Sequence, residues 1–210
     1  MARNPLSPID RPPFVMAVSG TSGSGKSTVI DRLVDHLGTA TRLHFDDYIV
    51  LGNDVDEIGA WLESGADPNW VKTPRLVQDL SGLAAGGPIA RPEGAVLHPA
   101  PFIILEEPFG RARDEIAPLI HLAVHLDVPL DVALSRRILR AIREQGEAEA
   151  ATHAELVTDI EGQMRAFLGG GRDAYRAIDR SAQQAADLVL DGLLPVDDLV
   201  RLILSEMELR

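Results

Sequence analysis

Short apolar runs alternate along the chain with stretches whose apolar residues recur every three or four positions, which predicts strands and helices in turn. Phe14 to Val18 is an apolar run of β propensity, and Val29 to Leu37 sets Ile30, Leu33, Val34 and Leu37 on one side of a helix. Thr41 to Phe45 predicts a second strand. From Ile49 to about Pro101 the pattern changes: helices over Val55 to Glu63 and Pro74 to Ala85 are parted by Gly, Pro and Asn, and Ile89 to Leu97 is extended. Phe102 to Leu105 and Ile120 to Leu126 are further strands, and Pro129 to Glu144 is a helix begun by proline. A helix-like run ends at Leu168 before the break Gly169-Gly170-Gly171, and a strand over Asp187 to Leu190 and a helix over Pro195 to Met207 close the pattern. The alternation predicts an α/β fold with a mainly parallel sheet, whose chemistry lies at the carboxyl ends of the strands.

Length and charge narrow this picture. A chain of 210 residues, 45% hydrophobic, buries a core as a single domain over 14–210, after a Pro-rich, flexible lead-in over 1–13. Residues 49–101 read as an insert that grips a substrate, and about 136–171 as a helical lid. A net charge of −12 argues against nucleic acid or an anionic membrane as partner. There is no cysteine for a disulfide, a thiol nucleophile or a Cys-based zinc site. No apolar signal core opens the sequence and no run nears the ~20 apolar residues that span a bilayer, so the expectation is a soluble, cytoplasmic protein.

One run carries the chemistry. Gly20-Thr21-Ser22-Gly23-Ser24-Gly25-Lys26-Ser27-Thr28 fits the phosphate-binding pattern G-x-x-x-x-G-K-[ST], with the strand before it and the helix after it that the pattern needs. The glycines let the backbone wrap so that successive N–H groups face a phosphate, backed by the positive end of the helix. Lys26 adds a mobile charge toward the β/γ oxygens, and the Ser27 hydroxyl suits Mg²⁺. The expected ligand is a nucleoside triphosphate.

The strand ends carry Asp46 and Asp47, Glu106 and Glu107, and Asp127 toward this loop. Phosphoryl transfer needs a bridging metal, positive charge on the moving group and a base for the acceptor's proton. Asp46 is the candidate base, set also near the metal, with Asp47 as the alternative; Glu106 is the candidate Mg²⁺ acid. The helix after Pro129 brings Arg136, Arg140 and Arg143 to one face at i, i+4 and i+7, with Arg137 beside them, as guanidinium forks for a triphosphate. The six histidines form no metal-ligand pattern in sequence, and packed or edge positions are expected for His121 and His125. Tyr48, Trp61 and Trp70 lie in or beside the insert, where one can stack on a planar substrate. No N-K-x-D motif is present for reading guanine.

Taken in order, these motifs resemble the uridine kinase and phosphoribulokinase-like kinases built on the phosphate-binding loop (P-loop). The likeness runs through Val18-Ser19-Gly20, Asp46-Asp47-Tyr48 against the family's D-[SD]-[FY], Asn69-Trp70 against N-W-D, Ile104-Leu105-Glu106 against L-E-G, Leu134 to Arg140 against the lid helix, and Ala186 to Leu190 against the final strand. The resemblance implies a three-layer α/β/α P-loop NTPase fold with a five-stranded parallel sheet. It also implies ATP and Mg²⁺ as cofactors, Asp46 as base, Glu106 beside magnesium, and Arg137 and Arg140 as phosphate-facing lid residues. A homo-oligomer is common among similar kinases.

Departures fall on the acceptor side. Val71 stands where the family has Asp, Glu107 where it has Gly, Gln145 where a lid arginine is common, and Ile89 to His98 lacks the family's pattern of Tyr, His and Arg in the nucleoside pocket. The expected activity is therefore transfer of a γ-phosphoryl group to the hydroxyl of a nucleoside-like or sugar-like metabolite, with Asp47, Tyr48, Trp70 and Arg91 as candidate substrate contacts. The alternatives are a regulatory nucleotide-binding ATPase, and a nucleoside monophosphate kinase whose insert offers Arg75 and Arg91 to an acceptor phosphate.

Overall fold

The computed structural model describes residues 12–49, 55–91, 94–147 and 153–210. The apolar run after the lead-in is the central strand, β1 (Phe14–Ser19), and everything else is ordered around it. It pairs in parallel with β5 (Phe102–Glu106) on one side and β6 (Leu122–Asp127) on the other; β2 (Ala40–His44) and β7 (Leu188–Asp191) form the edges, giving the order β2-β5-β1-β6-β7. A separate antiparallel pair, β3 (Ile89–Ala90) with β4 (Val96–Leu97), replaces the extended stretch expected over Ile89 to Leu97.

Alternate residues of β1 bury into opposite layers, as strands covered on both faces require. Val15 and Ala17 join Leu43, Ile103 and Leu105 in a core closed by α2 (Val55–Glu63) and α3 (Pro74–Ala84), through Trp61, Leu76, Leu80 and Leu83. Met16 and Val18 face a second core with Val29, Ile30 and Leu33 of α1 (Lys26–Leu37) and Leu199, Val200 and Ile203 of α7 (Val196–Glu208). The result is a three-layer α/β/α sandwich on a five-stranded parallel sheet.

On the carboxyl-end side, α4 (Leu130–Glu147) and α5 (His153–Ala166) come before α6 (Arg172–Gln184). The glycine break is a kink inside an almost continuous helical path: the backbone leaves helical values at Gly169 and Gly170, where φ reaches +124° at Gly170. The apolar pattern does not predict α6. Its inward face is mostly alanine, with Ala174, Ala177 and Ile178 packed on the first core and Ala182 buried, so its periodicity is carried by small side chains. The proposed flexible lead-in, residues 50–54, 92 and 93 of the insert and residues 148–152 of the lid lie outside the described residues, apart from residues 12 and 13 of the lead-in. Among the described residues no helix is long and apolar enough to cross a membrane.

Candidate active site

The loop between β1 and α1 wraps as its glycines allow. A Cβ at Gly23 would collide with the carbonyl oxygen of Ala133 in α4, and φ there is +92°, so the close approach of loop and helix requires glycine. At Gly20 a Cβ would meet the carbonyl oxygen of Leu126 at 2.9 Å. The loop bounds a cleft of about 700 Å³ together with His44, Phe45, Asp46, Asp47, Glu106, Pro108, Arg136, Arg137, Arg140, Tyr175 and Ile178. Gly20, Thr21, Ser22, Gly23, Gly25, Lys26, Ser27 and Thr28 all line it, whereas Ser24 is buried behind it with its amide donating to the Thr21 carbonyl at 3.0 Å.

Register brings the acid to the loop. Glu106 ends β5 opposite His44 of β2 and Val18 of β1. Its Oε2 accepts from the Ser27 hydroxyl at 3.1 Å and lies 3.3 Å from His44 Nδ1, while Oε1 is 3.5 Å from Lys26 Nζ. Burial pushes the Glu106 carboxyl up, but the His44 hydrogen bond, Lys26 and Ser27 together outweigh it and hold it at about 2. His44 is raised in return, chiefly by its bond to Glu106. Lys26 is lowered by burial against the opposing pull of Glu106, and its Nζ also donates to the Thr21 carbonyl at 3.2 Å. An anionic carboxylate, a hydroxyl and an ammonium thus converge at the floor of the cleft. The two oxygens are the hard donors that Mg²⁺ takes, and the glycine cradle with Lys26 fits a triphosphate.

Asp46 and Asp47 lie on a single 3₁₀ turn, Phe45–Asp47, pinned by the buried Phe45 ring. Both line the cleft, and Asp47 Oδ2 accepts from Arg91 Nη1 at 2.8 Å. Across the cleft α4 presents Arg136, Arg137 and Arg140; Arg143 is exposed and is not among the lining residues, so Arg137 takes the place that helical spacing assigns to Arg143. Arg136 Nη1 donates to the Ser24 carbonyl at 3.4 Å. Arg137 Nη1 donates to the Tyr175 hydroxyl at 2.8 Å, with its guanidinium 5.3 Å from the centre of that ring. A second cavity of about 300 Å³ continues between Arg137, Arg140 and the α5 residues Asp159 and Gln163.

The other candidate substrate contacts sit farther out. Tyr48 donates to Asp79 at 3.1 Å, and burial pushes its phenol up to about 12; Arg75 holds the other Asp79 oxygen at 2.8 Å. Trp70 is 56% exposed on the turn Pro68–Trp70. Neither Tyr48, Trp70 nor Arg91 is among the residues lining the cleft.

Glu107 corrects the expectation that every strand-end acid faces the loop. It is fully buried and turned away, bound to Arg113 Nη2 at 2.6 Å. Burial pushes its carboxyl up to about 7, against the pull of Arg113. Arg113 also donates to the Val71 carbonyl at 3.0 Å and to Thr73 Oγ1 at 2.7 Å, and its guanidinium stands 5.3 Å from the centre of the Phe45 ring. Glu107 is thus a structural tie between the strand and the insert. His44 and Tyr175 are the polar cleft residues missed in the sequence: His44 needs the β2–β5 register to meet Glu106, and Tyr175 lies on the unpredicted α6.

No family model matches the chain. The uridine kinase of Deinococcus deserti is 32% identical over 148 residues, spanning 64% of this chain and 71% of that protein. The chain belongs to the uridine kinase-like family of P-loop kinases. Among solved structures, the YGR205w protein aligns with a TM-score of 0.51 at 12% identity over 87% of both chains. The shikimate kinase of Acinetobacter baumannii aligns with a TM-score of 0.49 at 16% identity over 93% of both. At such identity the YGR205w likeness speaks to the fold alone.

Proposed function

We propose that this family member is an ATP- and Mg²⁺-dependent kinase that transfers the γ-phosphoryl group to a hydroxyl of a nucleoside-like or sugar-like metabolite. The observation that carries this reading is the convergence of Lys26, Ser27 and Glu106 beside the glycine cradle, with Asp46 and three α4 arginines on the walls of the same cleft. The loop amides and Lys26 hold the β- and γ-phosphates, and Ser27 and Glu106 hold the cation. Mg²⁺ held there would supply positive charge against the negative charge that grows on the phosphate oxygens. Asp46 takes the acceptor's proton as its oxygen bonds to the γ-phosphorus; the bond from that phosphorus to the β–γ bridging oxygen breaks, and ADP leaves. Arg136, Arg137 and Arg140 stabilise the charge spread over the transferring group.

In this reading residues 49–101 are the acceptor-gripping insert and about 136–171 the lid, within one domain over 14–210. Asp47, Tyr48, Trp70 and Arg91 are its acceptor-side groups. The Asp47 contact to Arg91 supports this assignment because it joins the insert to the turn that carries the base.

ADP release with Mg·ATP is the test, against nucleosides, pentoses, sugar alcohols, vitamins and nucleoside monophosphates, with Asp46→Asn as control. A hydroxyl compound is expected to raise turnover well above the acceptor-free rate, and the variant to retain ATP binding while losing ~10² or more of that turnover. Equal, slow ADP release with every compound would overturn the kinase reading in favour of a regulatory ATPase.

A further inference from the structure

A second cluster of polar groups lies outside the machinery just described. His125 of β6, Asp127 at the end of the same strand and Asp179 of α6 offer one nitrogen and two carboxylate oxygens, all within 4.8 Å of one another. His125 is 0% exposed. Its Nδ1 lies 3.0 Å from the Ser19 hydroxyl, and that hydroxyl donates to the Val124 carbonyl at 3.0 Å. A hydroxyl has a single proton. With the Ser19 proton given to Val124, a neutral His125 places its hydrogen on Nδ1, facing Ser19, and Nε2 is then left with a bare lone pair.

That lone pair faces Asp179 Oδ1 at 3.3 Å, yet both atoms are buried and neither has a hydrogen bond. Two facing acceptors in a buried position repel each other, and leaving them so is unfavourable. A cation between them removes the conflict. The separation suits one: ligands about 2.0–2.1 Å from a tetrahedral zinc ion stand about 3.3 Å apart. A histidine whose far nitrogen donates to a neighbouring oxygen has the orientation found in metal-binding imidazoles. The Gln183 amide reaches Asp127 Oδ2 at 3.5 Å, steadying the third ligand, and exposed Asp127 leaves the fourth position to water.

We propose that His125, Asp127 and Asp179 bind a divalent transition-metal cation of the Zn²⁺ type, separate from the Ser27 and Glu106 oxygens assigned to Mg²⁺. The mixed nitrogen and oxygen set favours such an ion over Mg²⁺, which takes an octahedron of oxygens. Bound there, the ion fastens α6 to the sheet one helical turn from Tyr175, the residue that holds Arg137. The site stands whether or not the kinase reading does.

The test uses the full chain freed of metal by a chelator, with Zn²⁺ as the sole added ligand. Calorimetric titration is expected to give one site per chain that excess Mg²⁺ does not displace, and saturation to raise Tm by about 5 °C or more at a hundredfold excess over Kd. Asp179→Asn and Asp127→Asn, checked for fold by circular dichroism, are expected to weaken binding by ~10-fold or more. Nitrogen-15 spectra of the wild-type imidazoles, with His125 assigned through His125→Gln, keep the test decisive if a variant fails to fold: Zn²⁺ is expected to shift Nε2 and leave Nδ1 protonated. A His125 ring with both nitrogens protonated and indifferent to Zn²⁺ would establish a plain imidazolium–carboxylate pair and overturn the proposal. Zn²⁺ affinity unchanged in both Asp variants would overturn it too.

Discussion

Neighbouring residues at a strand end point to opposite layers, and Glu106 and Glu107 live in different environments for that reason. Glu106 faces Lys26, Ser27 and His44 and is held at about 2; Glu107 faces the interior and is raised by burial to about 7. The His44–Glu106 contact gives a pH dependence with a definite sign. The folded-state pKa of His44 is raised from 6.5, so its stabilising contribution is fully present below that value and is lost as pH rises through the folded value. Thermal unfolding of wild type and His44→Gln, in chelator and without nucleotide, is expected to show a wild-type advantage near pH 6 that shrinks toward about pH 9. An advantage that stays constant over this range would mean that His44 does not carry the charge.

At the scale of elements, two contacts set the cleft. Arg113 ties β5 to the insert through Glu107, Val71 and Thr73, and both charged partners are fully buried. Removing one partner of such a pair costs about 3–5 kcal/mol, so Arg113→Leu is expected to lower Tm by roughly 6–20 °C. The double variant Arg113→Leu with Glu107→Leu should recover a large part of that loss, because no fully buried charge then stays unpaired, the remaining Arg113 partner Glu115 being partly exposed; scanning calorimetry of the three proteins decides it. The second contact is Gly23 against Ala133. Gly23→Ala is expected to push α4 and its arginines off the loop and abolish measurable Mg·ATP binding by calorimetric titration, while circular dichroism stays that of the wild type. Retained affinity would show that the loop and α4 separate freely.

For the whole molecule, ligand binding and stability are linked. Mg·ATP at a hundredfold excess over its Kd adds about 2.7 kcal/mol to a protein that binds it only when folded. At 210 residues this corresponds to a rise in Tm of roughly 5–11 °C. Lys26→Ala is expected to lose most of that rise and all phosphoryl transfer, since a buried ammonium beside Glu106 leaves the floor of the cleft. An undiminished shift in the variant would place the triphosphate elsewhere.

The sequence alone determined the central strand, the loop and its helix, the alternation that makes the sheet parallel, and the candidates Lys26, Ser27, Asp46 and Glu106. These are local properties: a run of β-formers, a glycine spacing that only one backbone shape satisfies, and acids at strand ends. Helix α6 escaped because alanine supplies its buried face, and with it went Tyr175 and Asp179. Only the tertiary structure decided that His44 meets Glu106, that Glu107 turns inward to Arg113, that Arg143 stays off the cleft, and that His125 meets Asp179. Each of these depends on strand register or on the packing of elements distant in the chain, and side-chain direction at such places is fixed by neighbours that no local pattern names.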